Sequence, residues 1–206
     1  MSTAELSAYV EDCLAKEGAK DHFMARLAEM ANTPEHAPSE SDAECLSILA
    51  VDYLRAVVGM LQACEAAAER TGARGFADPL IKIAVHYFFE PDDLIPDSMG
   101  LYGLIDDAYL AHKFIIGLSE LVEAEKGFPL LATATDESIV VIRGLIGDEI
   151  ATKLDAKVET NIRSVTVRNQ MARLSMLSGT LPTHDSALWA KVKADRERIS
   201  WQPKSS

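Results

Sequence analysis

Tyr87-Phe88-Phe89-Glu90-Pro91-Asp92-Asp93-Leu94-Ile95-Pro96-Asp97, followed by Gly103-Leu104-Ile105-Asp106-Asp107, lies between two strongly apolar segments. Two prolines and five aspartates fall between positions 91 and 107. Pro91 disfavours helical angles at Glu90, so a helix arriving from Leu80 ends there. That helix carries Leu80, Ile81, Ile83, Ala84, Tyr87, Phe88 and Phe89 around most of its circumference, which predicts deep burial. Pro96 fixes a second backbone angle one turn later. Beyond the connector, Leu104, Ala108, Ala111, Ile115, Leu118 and Val122 recur every three or four positions, widened by Phe114, Ile116 and Leu121. The stretch therefore reads as the bend of a helical hairpin at the centre of an all-α protein.

Outward from this hairpin the chain continues in helical periods. Ser2 and Glu5 form a capping box for a first helix to about Glu17, and a second follows Gly18 to near Asn32. Thr33 to Asp42 is a polar loop, after which Ser41 and Glu44 suggest a capping box opening a helix to about Arg70. Leu46, Ala50, Leu54, Val57, Leu61, Cys64 and Ala68 form its apolar stripe. Gly72, Gly75 and Pro79 predict a break from Thr71 to Pro79. Gly127 and Pro129 predict another. Thr133 and Asp136 can cap a helix through Ile139 to Leu154, although Ser138 to Ile142 is β-branched enough for a short strand. Thr160 to Asn169 is poor in helix formers and predicts a break, with a further helix around Gln170 to Leu177. Asp185 can cap a final helix, Ser186 to Ile199. The expected architecture is a single-domain bundle of about six to eight helices over residues 1–182, with the motif at about 80–118, and a basic helical arm over 183–206.

Composition agrees with this class. Apolar residues make up 48% of 206, charged residues 25% and aromatics 6%, a helix-favouring mixture able to bury a core. The net charge of −12 argues against nucleic-acid binding, which needs clustered Lys and Arg. The charge is divided: residues 1–138 hold 25 acids against 9 Lys and Arg, and residues 139–206 hold 7 against 11. Opposite charge on the two parts is expected to let the basic tail pack against the acidic body or a second copy of it, the alternative being a docking surface for an acidic protein partner. Cys13, Cys45 and Cys64 lack CxxC spacing and are expected to be buried thiols. No apolar run approaches a membrane span and the N-terminus lacks a secretory pattern, so a cytoplasmic location is expected. Trp189, Lys191, Lys193, Arg196, Arg198 and Trp201 make the arm amphipathic, which leaves peripheral membrane contact as a third option.

The aspartates admit two readings. In the first they are structural: Asp93 and Asp97 begin turns by accepting from nearby backbone N–H groups, and Asp106 and Asp107 sit in the first helical turn, at the positive end of the dipole. In the second, Asp93, Asp97, Asp106 and Asp107 converge as oxygen ligands for Mg²⁺, Ca²⁺ or Mn²⁺, because gathered carboxylates repel unless a cation compensates. His86 and His112 could then add nitrogen ligands, as in a phosphohydrolase-like metal enzyme. The spacing fits no standard calcium loop, and the only His-Asp doublet, His184-Asp185, lies far away. GxSxG, P-loop, GxGxxG and HExxH patterns are absent. Structural capping and a non-enzymatic, cofactor-free interaction or regulatory protein are the expectation; the metal enzyme is the alternative.

Tyr87-Phe88-Phe89-x-Pro91-x-Asp93-Leu94-Ile95-Pro96-Asp97 with Gly103-Leu104-Ile105-Asp106-Asp107 resembles the core signature of the YkvA-like family, a bacterial domain family without an established function. The family carries Ser-Pro-x-Asp-Leu-Ile-Pro-Asp and then Gly-x-x-Asp-Asp. Glu90 replaces the usual Ser here, and Asp92 an apolar residue. The resemblance implies a helical hairpin around the motif and a bacterial origin, and it implies no reaction.

Overall fold

The computed structural model describes residues 2–31, 40–90, 94–131 and 138–178, with backbone alone for 31, 40, 41 and 171–178. Among them the chain is all α-helical: α1 (Thr3–Leu14), α2 (Asp21–Ala31), α3 (Glu40–Thr71), α4 (Arg74–Tyr87), α5 (Leu101–Lys126), α6 (Ser138–Ile146) and α7 (Asp148–Ser178), with one 3-10 turn at Asp97–Met99. Residues 1–167 form one compact unit and 168–206 a second. The expected boundary at 182/183 and the basic arm lie outside the described residues.

Helix α5 is the axis of the first unit. Every residue from Gly103 to His112 is buried, and α3 and α4 pack on it, joined by α1, α2 and α6. A helix buried all round has no amphipathic stripe to orient it, so its neighbours fix its position. α4 and α5 pack against each other, so the Pro/Asp connector closes a helical hairpin as expected. The stripe of α3 is also as expected: Ala50, Leu54, Val57, Leu61, Cys64 and Ala68 are all buried.

Several boundaries differ from expectation for local reasons. The capping box at Ser2 is present, with Glu5 N–H donating to Ser2 Oγ at 3.3 Å and Ser2 N–H to Glu5 Oε2 at 2.6 Å. Ser41 is no N-cap, because α3 already begins at Glu40. The break expected over Thr71 to Pro79 shrinks to Gly72 and Ala73. Gly72, at φ 66°, ends α3, and Ala73 N–H bonds back to the Ala68 carbonyl at 2.9 Å. Pro79 lies inside α4, where buried Phe76, Ala77, Leu80 and Ile81 hold the helix through the missing N–H. No break occurs over Thr160 to Asn169. Val158 and Val165 are buried and Ile162 packs on the core, so α7 continues, while Thr160, Asn161 and Thr166 direct their polar side chains to carbonyls one turn back, at 2.8, 2.8 and 2.9 Å. The break falls at Gly147 instead (φ 90°), and Ser138 to Ile142 is helix rather than strand. The caps expected at Thr133 and Asp136 lie outside the described residues.

Candidate functional site

The connector is held to the bundle by close backbone contact. Pro96 leads into the 3-10 turn, whose Met99 N–H bonds to the Pro96 carbonyl at 2.8 Å. Gly100 follows at φ 61°, ψ −128°, a conformation reserved for glycine, and opens α5. Leu101 N–H then donates to the Ala19 carbonyl at 2.7 Å, tying the start of α5 to the α1–α2 loop. A Cβ on Gly103 would stand 2.6 Å from the Pro96 carbonyl oxygen and 3.0 Å from Asp97 Cα. The motif glycine is therefore the point where the turn rests directly on the helix.

Asp97 does not play the capping role expected of it. Asp97 accepts from the Tyr9 hydroxyl of α1 at 2.9 Å and makes no side-chain cap. Burial raises the Asp97 carboxyl above its usual range, partly offset by Tyr9 and by Lys16; burial likewise raises the Tyr9 hydroxyl, reinforced by Asp97. Beside them Cys13, Lys16, Gly18, Ala19, Asp97 and Gly100 line a small cavity of about 150 Å³. Asp106 and Asp107 are not in the first turn: α5 begins at Leu101, so they fall in the second, and both are 0% exposed. Sequence reasoning missed this because α5 starts sooner than the two glycines implied. Consecutive helical residues diverge by about 100°, so the two carboxylates address different surroundings. Burial raises the Tyr102 hydroxyl, with Arg26 opposing and Asp106 reinforcing, which puts Asp106 on the Tyr102 side. Asp107 stands one turn beyond Gly103, on the side the connector approaches. Asp93 lies outside the described residues.

The histidines separate as well. His86 is exposed on α4, whereas His112 is 1% exposed in α5, with its Nδ1 2.9 Å from the Tyr53 hydroxyl of α3. Among the described residues no group of three or more His, Cys, Asp or Glu side chains is arranged to hold a metal ion. Of the cysteines, Cys13 and Cys64 are buried as expected and burial pushes the Cys64 thiol up to about 12. Cys45 is exposed, which corrects the expectation for that thiol.

A polar cluster unmarked by any motif binds α6 and α7 to the hairpin. Arg143 donates to Asp155 Oδ2 at 2.8 Å and to the buried Tyr109 hydroxyl at 3.1 Å. Tyr109 in turn donates to Asp155 Oδ1 at 3.0 Å, and Lys113 pairs with the same oxygen at 3.3 Å. Lys157 lies 4.0 Å over the Tyr87 ring and 3.7 Å from Glu90. These contacts join residues far apart in sequence, so only the charged spacing Arg143, Asp148, Asp155 could have hinted at them.

Residues 80–112 match a family model. Its description is a protein of unknown function, DUF1232. The match spans the second half of α4, the connector and the first half of α5, ending at buried His112. No curated protein and no solved structure matches the chain. Among the described residues no helix is long and apolar enough to cross a membrane.

Proposed function

We propose that this chain is a non-enzymatic interaction or regulatory protein of the bacterial cytosol, built around a YkvA-like hairpin that serves as its structural core. The observation that carries the reading is the burial of Asp106 and Asp107 inside α5, at 0% exposure, where no substrate reaches them. Carboxylates in such a position act on the packing and pairing of neighbouring helices, and a buried charge specifies one arrangement of its surroundings. Asp97 supports the same reading, since its carboxylate ties the connector to α1 through Tyr9.

One observation favours a second reading, a site for Mg²⁺, Ca²⁺ or Mn²⁺ on the connector side of α5. Among the described residues Asp97 Oδ1 is buried with no hydrogen-bond partner, and Asp107 stands one turn beyond Gly103, on the side of α5 that the connector approaches. Thermal melts with and without each ion, on the wild type and on Asp97→Asn with Asp107→Asn, separate the two. The interaction reading expects melting temperatures indifferent to metal in both proteins. A metal-dependent rise in the wild type that disappears in the variant would overturn it.

A further inference from the structure

The N-terminal half of α3 and the start of α6 border an apolar groove that the other described residues do not fill. Cys45, Ile48, Leu49, Tyr53 and Ala56 of α3 and Ser138 of α6 line about 530 Å³ of open space, with Asp52 at its edge. Ile48 is 53% exposed, and Val140 and Val141 of α6 are 67% and 38% exposed. Val141 stands one turn beyond Ser138, on the groove side of α6. Single exposed aliphatic residues need no explanation, but Ile48 lines this concavity together with Leu49 and Ala56, and an apolar concavity of this kind marks an interaction surface. The groove is also joined to the matched hairpin. Its floor is Tyr53, whose hydroxyl is held by buried His112 at 2.9 Å.

Among the described residues the rim of α3 carries exposed acids on both sides of Ile48. Glu44 and Asp52 are exposed one turn before and one turn after Ile48. The nearest cations are directed elsewhere: Arg55 makes a two-pronged pair with Glu11 at 2.7 and 2.8 Å, and Arg143 is engaged by Asp148 and Asp155. An apolar floor with an acidic rim complements a helix whose apolar stripe is flanked by Lys and Arg. It disfavours the same face of a second copy, which would set acid against acid.

We propose that the α3–α6 groove is a docking site for a basic amphipathic helix of a partner protein. This rests on the interaction reading above and names its partner class. The probe is a fluorescent amphipathic peptide of Leu and Lys, with Leu at helical i, i+3, i+4, i+7 spacing. Its two comparison peptides are a shuffled isomer of equal charge and a Leu/Glu counterpart with the same stripe. The Leu/Lys peptide is expected to bind at least about tenfold tighter than either. Ile48→Ser with Val141→Ser is expected to weaken binding about tenfold or more. Glu44→Gln with Asp52→Asn weakens it less and flattens its salt dependence. Phe128→Ser, an exposed site away from the groove, changes nothing. All substituted side chains are exposed, and circular dichroism melts report whether each variant is folded. Equal binding of the shuffled peptide, or indifference to Ile48→Ser with Val141→Ser, overturns the proposal. So does a wild-type dimer in sedimentation that those substitutions dissolve, since the groove would then hold a second copy. None of these outcomes depends on the metal melts, so the docking proposal and the interaction reading can fail separately.

Discussion

Replacing Gly103 by alanine tests whether the motif glycine is a contact point rather than a flexible joint. Gly103 lies within α5 with no positive φ, so alanine meets no backbone strain there. Helix propensity alone would favour alanine by up to about 1 kcal/mol. The added methyl, however, would stand 2.6 Å from the Pro96 carbonyl oxygen, 3.1 Å from its carbon and 3.0 Å from Asp97 Cα. All three are backbone atoms of a turn fixed by Pro96 and by the Gly100 conformation, so no flexible side-chain end can move aside. Overpacking costs roughly 1–3 kcal/mol, and contact with three backbone atoms puts this site in the upper half of that range, so after the propensity gain the net destabilisation is expected to be about 1–2 kcal/mol. For a chain of this length that lowers the melting temperature by roughly 2–8 °C. Gly59→Ala is the matched control, because a Cβ there meets nothing within 4 Å on the exposed face of α3. It is expected to stabilise by about 0.5–1 kcal/mol. Denaturant and thermal unfolding of the two variants beside the wild type give the comparison. Gly103→Ala melting at or above the wild type would refute the view that the connector rests on α5 at this residue.

Two further outcomes follow from burial and charge. Under native conditions a thiol reagent is expected to modify one cysteine rapidly, Cys45, and Cys45→Ser is expected to abolish that phase; Cys64, buried and with its thiol raised to about 12, reacts only on unfolding. Asp97 carries a carboxyl raised in the folded state above its ordinary 3.8, so the folded protein binds more protons than the unfolded chain just above that pH. Its contribution to stability therefore falls as pH rises through the window between 3.8 and the raised value. Relative to Asp97→Asn, the wild type is expected to gain stability as pH is lowered through that window, measured as the difference in urea midpoints. A difference that is flat or of opposite slope would show that burial does not dominate at Asp97.

What could be read from the sequence was the part carried by periodicity. The stripe of α3, the apolar run of α5, the capping box at Ser2 and the hairpin about Pro91 and Pro96 each follow from local spacing. The errors share a physical cause, the override of local preference by packing. Pro79 and the Thr160–Asn169 stretch look like breaks in isolation, yet the burial of Phe76, Ala77, Leu80 and Ile81 in one case and of Val158 and Val165 in the other keeps the helix intact. Gly147 looks like any other glycine until its φ of 90° separates α6 from α7. At the connector the residues were identified but their roles were not. Whether an aspartate caps a helix or sits inside it depends on where α5 begins, and the Leu101 bond to Ala19 is a long-range contact that no local pattern reports.

The matched segment cannot be understood as a freestanding module. Residues 80–112 contain half of α4 and half of α5, and α5 is buried on every side through that span. A helix of this kind gains its stability only from what surrounds it, and here the surroundings come from the rest of the chain. α1 supplies Tyr9 to Asp97, the α1–α2 loop supplies the Ala19 carbonyl to Leu101, and α3 supplies Tyr53 to His112. α6 and α7 supply Arg143, Asp155 and Lys157 to Tyr109, Lys113 and Tyr87. Apart from the backbone bond at Leu101, each partner meets the hairpin at a polar or charged residue placed within an otherwise apolar surface. Apolar packing alone would tolerate many rotations of a helix that is apolar all round, whereas these pairings are satisfied in one arrangement. Asp97 and His112 are thus registration points for the helices packed around the hairpin, and the proposed docking surface lies on α3 and α6.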